Sequence, residues 1–157
     1  MKLTVRISNV LYCSADELWN KIIDPSSLKF VASPVLTFVP EGQSDDDLPG
    51  KWNTGVSYQM KLRLFGLIPL GRHTIRLVKI NKDNRTIESR ESGSLAKVWN
   101  HTISFRETSR GIVTYTDVIE LDAGLLTPVV WLFSQLFYRH RQRRWKILLR
   151  KTQSPEY

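Results

Sequence analysis

The chain has 157 residues, 41% hydrophobic and 24% charged, a globular balance that excludes disordered and fibrous classes and suits one domain with a real core. A single cysteine, Cys13, excludes an internal disulfide and a cysteine-based zinc site. The formal net charge of +8 is uneven: Arg139, Arg141, Arg143, Arg144, Lys146, Arg150 and Lys151 crowd one C-terminal segment, while Glu41, Asp45, Asp46 and Asp47 share a mid-chain loop.

Residues 2–12 alternate apolar and polar from the start, which predicts a half-buried strand and not the unbroken apolar run of a signal peptide. Ser14-Ala15-Asp16-Glu17 is a capping box, and Leu18, Trp19, Ile22 and Ile23 follow at helical spacing. Asp24-Pro25 ends that helix, because the residue before proline resists the α conformation. A second short helix is expected over 26–31. Val35 to Val39 reads as a strand ended by Pro40, and the acid-rich loop 41–51 follows.

From 55 to 65, Tyr58, Met60, Leu62 and Leu64 alternate with Ser57, Gln59, Lys61 and Arg63 in a clean two-residue period. Gly66 to Gly71 interrupts the pattern, and a strand is expected from about 72 to 80. Asn81-Lys82-Asp83-Asn84 is a hairpin turn by composition. Strands follow at about 85–92, 97–107 and 112–121, with turns at Gly93-Ser94 and at 108–111. Short turns between consecutive strands imply an antiparallel meander.

Thr127-Pro128 opens the last element, and nothing breaks it before Thr152, so about 24 residues form a helix on the order of 36 Å long. A polar stripe is expected from Gln135, Arg139, Gln142, Arg143, Lys146 and Arg150. Opposite it lie Val130, Phe137 and Leu148 with Arg141 and Arg144. Trp131, Tyr138 and Trp145 recur on one flank, where aromatics at helical spacing pack in a core or line a cavity unless they are exposed beside the arginines, and Val129, Phe133, His140 and Ile147 mark the other. More than half the circumference is apolar or aromatic, more than is needed to cover one sheet face. The sheet must therefore curl around the helix. The expected fold is α+β, a helix-grip domain over 1–151 with a short tail at 152–157. The most apolar stretch, 125–138, falls short of the roughly 20 residues that span a bilayer, and a cytoplasmic location is the default expectation.

On the strand at 97–107, Trp99, His101, Ile103 and Phe105 share a face; on the next, Val113, Tyr115, Asp117 and Ile119 do. Both faces should point inward. A three-residue turn near Ser109 would set His101 opposite Asp117 or one step away. Such a pair can act as an oriented general base, or simply satisfy itself in a polar wall. Inward arginines need partners, which Asp117, Glu91 or an anionic ligand head group can supply, unless the side chains reach water beyond the sheet. Glu120 reads as solvated. The three histidines, His73, His101 and His140, are too dispersed for a metal site, and no nucleophile elbow or phosphate-binding glycine loop is present, so neither metal nor cofactor is expected.

The order strand, two helices, six strands, long helix resembles the START-like superfamily, also called SRPBCC. That superfamily includes the birch-pollen allergen, lipid-transfer START domains and aromatic polyketide cyclases. The resemblance is carried by Ser14 to Trp19 with Asp24-Pro25, Glu91-Ser92-Gly93, Trp99-Asn100-His101, Tyr115-Thr116-Asp117 and the helix from Trp131 to Trp145. It implies an internal cavity for apolar or amphipathic molecules, and it does not imply one chemistry.

The expected function is therefore binding of a lipid, polyketide or aromatic molecule. Contacts are expected from Trp99, Ile103, Phe105 and Tyr115 on the sheet and from Phe137, His140, Arg141 and Arg144 on the helix. The alternatives are a cyclase or dehydratase using His101 and Asp117, and contact of the basic helix with an anionic membrane, flanked by Trp131 and Trp145. No RNP-like, zinc-finger or helix-turn-helix pattern supports a nucleic-acid role.

Overall fold

Alternation at the N-terminus produces β1 (Leu3–Leu11), whose Val5, Ile7 and Leu11 are buried. In the computed structural model, which describes residues 1–41 and 50–153, the capping box then forms in full. Ser14 accepts from the Glu17 amide, and the Glu17 carboxylate accepts from the Ser14 amide. It opens α1 (Ala15–Ile22), which buries Leu18, Trp19 and Ile22. Asp24-Pro25 does more than end α1. Asp24 caps α2 (Pro25–Ala32) by accepting from the Ser26 amide, with the proline at the first helical position.

Among the described residues seven strands form one antiparallel sheet: β1, β2 (Leu36–Pro40), β3 (Ser57–Leu64), β4 (Ile68–Asn81), β5 (Thr86–Gly93), β6 (Val98–Ser109) and β7 (Ile112–Asp122). The spatial order is β1-β7-β6-β5-β4-β3-β2, so β1 and β2 are the two edges and the rest is a meander. A one-turn 3₁₀ segment (Gly124–Leu126) leads into α3 (Thr127–Gln153). Thr127 accepts from the Ala123 amide and donates to the Gly124 carbonyl, which fixes the entry angle.

Two turns differ from expectation. Gly66 to Gly71 is not a break of six residues: the chain reverses over 65–67, where Phe65 and Gly66 both have positive φ, and β4 resumes at Ile68. Pro69 is accommodated because the pairing with β3 is irregular between Leu62 and Arg63. Between β6 and β7 only Arg110 and Gly111 intervene, and a bulge between Glu107 and Ser109 shifts the register. The bulge, and not a three-residue turn, makes opposed residue numbers sum to an even value. His101 accordingly faces Ile119, and Asp117 faces Ile103, one diagonal step away.

α3 closes the curved sheet. One flank lies on β1, where Trp131 Nε1 donates to the Thr4 carbonyl and Gln142 Nε2 to the Ile7 carbonyl. The other flank holds α2, through His140 to the Ser33 carbonyl and Arg144 Nε to the Phe30 carbonyl. Gln142 is thus a correction to the expected polar stripe: it is fully buried, because its position turns toward β1 and not toward water. Arg139, Arg143 and Arg150 are exposed as expected, and Lys146 is half-buried. Of the acid-rich loop, Asp45, Asp46 and Asp47 lie outside the described residues, while Glu41 pairs with Arg72 at 2.9 Å. Among the described residues no helix is long and apolar enough to cross a membrane.

Candidate ligand cavity

The two-residue period of the central strands sends Ile75 and Leu77 of β4, Ile87, Ser89 and Glu91 of β5, and Trp99, His101 and Ile103 of β6 to the concave face. Phe137, Tyr138, Arg141 and Trp145 of α3 face them. Between lies a partly open cavity. Its walls are mostly aliphatic and aromatic, completed by Ile22 and Leu28 of the two short helices and by Trp52.

The polar groups gather into two hydrogen-bonded clusters. His101 Nε2 lies 2.7 Å from Asp117 Oδ1, which also accepts from the Tyr115 hydroxyl at 3.0 Å; Gln142 Nε2 donates to Oδ2 at 3.0 Å. Burial alone would raise the Asp117 pKa. The His101 hydrogen bond, the charges of His101 and Arg141 and the Gln142 bond outweigh it, holding the carboxyl below its usual value. A carboxylate is only an acceptor, so the His101 Nε2 carries the shared proton and Nδ1 is left with the lone pair when the ring is neutral. Second, His73 Nε2 lies 2.7 Å from Glu91 Oε2, and Ser89 donates to the other oxygen. Burial again opposes ionisation of Glu91, and the hydrogen bond and charge of His73, with smaller help from His101 and Ser89, lower its pKa nonetheless.

Arg141 lines the same cavity as His101, His73 and Glu91, with its guanidinium 5.4 Å from the Tyr138 ring. Burial disfavours its charge, but the surrounding Tyr115, Asp117, Tyr138 and Glu91 more than compensate and fix it as a cation. Only 6% of Arg141 is exposed, and its Nε–H has no hydrogen-bond partner among the described residues. Tyr138 shapes the same end of the cavity: its hydroxyl accepts from Trp99 Nε1 at 3.0 Å, and its ring meets His101 edge-on at 5.1 Å.

Of the residues expected to contact a ligand, Trp99, Ile103, Phe137 and Arg141 line the cavity, together with His101. Phe105 and Tyr115 are buried a layer behind it, against Trp19 and Trp145 respectively. His140 and Arg144 are corrections. The helix phase turns both toward α2, and the Arg144 guanidinium sits 4.0 Å from the Phe30 ring. Trp145 is buried and lines the cavity, so of the two readings of the aromatic flank it takes the core-or-cavity one and does not border the exposed cationic stripe.

Sequence reasoning missed the His73–Glu91 pair. His73 and Ile75 do share a face by alternation, but the pairing of β4 with β5 depends on a bulge at Val78 that no local signal announces. Glu120 lies on the outer face as expected, paired with Lys2 at 3.5 Å. Among the described residues no group of histidine, cysteine and carboxylate side chains is arranged to hold a metal.

The model of a family described as a domain of unknown function, DUF8410, matches residues 9–149. The chain belongs to this family. No curated protein has a matching sequence. Solved structures share the fold. A protein from Chromobacterium violaceum is 17% identical with a TM-score of 0.71, covering 92% of this chain and 95% of its own. Norcoclaurine synthase from Thalictrum flavum, solved with dopamine and hydroxybenzaldehyde, is 12% identical with a TM-score of 0.67, at 99% and 90% coverage. The Zhui aromatase/cyclase of a Streptomyces species is 12% identical with a TM-score of 0.56, at 79% and 70% coverage. The fold of this DUF8410 chain is the helix-grip, a curved antiparallel sheet around a long C-terminal helix, which these structures share.

Proposed function

We propose that this DUF8410 protein binds a small amphipathic molecule in the cavity, an apolar or aromatic body with an electron-rich oxygen at one end. The observation that carries the reading is Arg141: a buried cation with an unpartnered N–H at the polar end of an otherwise apolar void. An apolar pocket with a few fixed polar groups selects ligands by shape along its walls and by orientation at the polar end. The body packs against Ile75, Leu77, Ile87 and Phe137, and the oxygen accepts from the guanidinium. The norcoclaurine synthase neighbour was solved with two small aromatic molecules, which is consistent with this class of cargo.

Anilinonaphthalene sulfonate has the required chemistry, an aromatic body with an anionic head, and its fluorescence reports transfer out of water. Wild type is expected to bind it in a saturable way. Leu77→Trp, which fills the void from the sheet side, abolishes that binding, and Arg141→Met weakens it by about tenfold or more through loss of a charged hydrogen bond. Unchanged affinity in a folded Leu77→Trp protein would remove the cavity from consideration. Native mass spectrometry of freshly purified protein then identifies retained cargo.

A second reading, acid–base catalysis, is favoured by the His101–Asp117 contact in a wall that a ligand touches. With Asp117 holding Nε2–H, the His101 Nδ1 lone pair is the base, and Arg141 stabilises negative charge developing on a substrate oxygen. His101→Ala separates the readings: turnover of an identified cargo that is lost while its binding persists supports catalysis, and unchanged turnover ends it.

A further inference from the structure

The outward line of α3 is unlike the surface around it. Val129 (66% exposed), Leu132 (57%) and Leu136 (64%) follow one another at spacings of three and four, and Leu125 of the preceding 3₁₀ turn is fully exposed beside the start of the helix. These spacings stack side chains along a single helix edge. The same edge continues in Arg139 and Arg143, both exposed, and then Ile147 and Arg150. One solvent-facing line is therefore aliphatic over its first half and mostly cationic over its second, and α3 contains no aspartate or glutamate. The leucines are not needed for the fold, because α3 already buries Val130, Phe137, Tyr138, Trp145 and Leu149 on its other faces.

We propose that this edge docks on an anionic phospholipid bilayer, with Val129, Leu132 and Leu136 entering the headgroup–acyl boundary and Arg139 and Arg143 binding lipid phosphates. Charge complementarity selects this occupant over a second copy of the chain. Pairing two full edges in parallel would set arginine against arginine, and pairing them antiparallel would set arginine against leucine. Overlap of the aliphatic halves alone would cover only a few side chains. A bilayer surface instead offers apolar depth beside fixed negative charge, as basic amphipathic helices require. The proposal does not depend on what the cavity holds.

Co-sedimentation of the full chain with vesicles tests it, using phosphatidylcholine alone and phosphatidylcholine mixed with phosphatidylglycerol. Binding is expected to the mixed vesicles, to weaken with added salt, and to be far weaker on neutral ones. Arg139→Gln with Arg143→Gln should weaken it by about thirtyfold, from the contribution of each basic residue near an anionic surface. Leu132→Gln with Leu136→Gln should weaken it by more than about tenfold at unchanged thermal stability, since both side chains are already in water. Negligible binding to both vesicle types, or full binding by the leucine variant, overturns the proposal. So does a dimer in sedimentation velocity that the leucine variant dissociates, because the edge would then belong to a second copy.

Discussion

Asp117 accepts from His101, Tyr115 and Gln142 at once, so one carboxylate on β7 joins β6 and α3, and through Gln142 reaches the Ile7 carbonyl of β1. Replacing it by asparagine keeps the shape but removes the negative charge that faces Arg141. Breaking a buried charge group in this way costs about 3–5 kcal/mol, and urea unfolding of Asp117→Asn at neutral pH should show a loss of that order. The pH dependence follows from the direction of the shift. Asp117 titrates lower in the folded protein than the unfolded value of about 3.9. Its contribution is complete above that value and disappears as pH falls through the folded pKa. Glu91 behaves alike, starting from about 4.3. Wild-type stability should therefore decline in acid below about pH 4, with a shallower decline in Asp117→Asn. Equal slopes would mean that the carboxylate is not held as its contacts indicate. The sequence pointed to this pair, since alternation put both residues on the concave face and an even register brought them within one step. The His73–Glu91 pair stayed hidden, because the bulge that aligns β4 with β5 lies in mid-strand between Leu77 and Lys79, far from any turn signal, whereas the bulge that aligns β6 with β7 adjoins their turn.

Among the elements, the helix starts were legible because caps are local chemistry: Ser14 with Glu17, Asp24 with Pro25 and Thr127 with Pro128 all act within a few residues of themselves. Strand ends were less so. At the far end of β5, Gly93 lies opposite His73, and a Cβ there would come within 2.2 Å of the Arg72 carbonyl and 2.9 Å of the His73 Cα. The absence of a side chain lets β4 and β5 approach, which keeps His73 beside Glu91. Gly93→Ala should displace β4 locally, cost about 1–3 kcal/mol as overpacking does, and shift the His73 imidazole resonances in a proton–nitrogen spectrum. A variant with wild-type stability and unmoved His73 signals would show that the approach is not tight.

The whole molecule is closed by α3, whose four sides do different work: one rests on β1, one holds α2, one faces the cavity and one faces solvent. Arg144 belongs to the α2 side, stacked on the Phe30 ring and bonded to its carbonyl. Arg144→Ala should cost about 1–2 kcal/mol and speed amide exchange in α2 while leaving β6 and β7 protected. Uniform acceleration across the sheet would instead make Arg144 part of the global core.

Periodicity, capping and turn residues decided which segments are strands and which helices. The spread of apolar residues around the last helix pointed to a sheet that curls around it, although Val129, Leu132 and Leu136 of that spread face water and not the sheet. Those signals act over a few residues, and each is written in consecutive side chains. The division of labour around α3 was different. A helical wheel ranks faces by composition, yet Gln142 went to β1, Arg144 to α2, Trp145 into the cavity and Leu132 to water. Those placements follow from which backbone carbonyls and ring faces neighbouring elements present, and only the assembled tertiary structure supplies them.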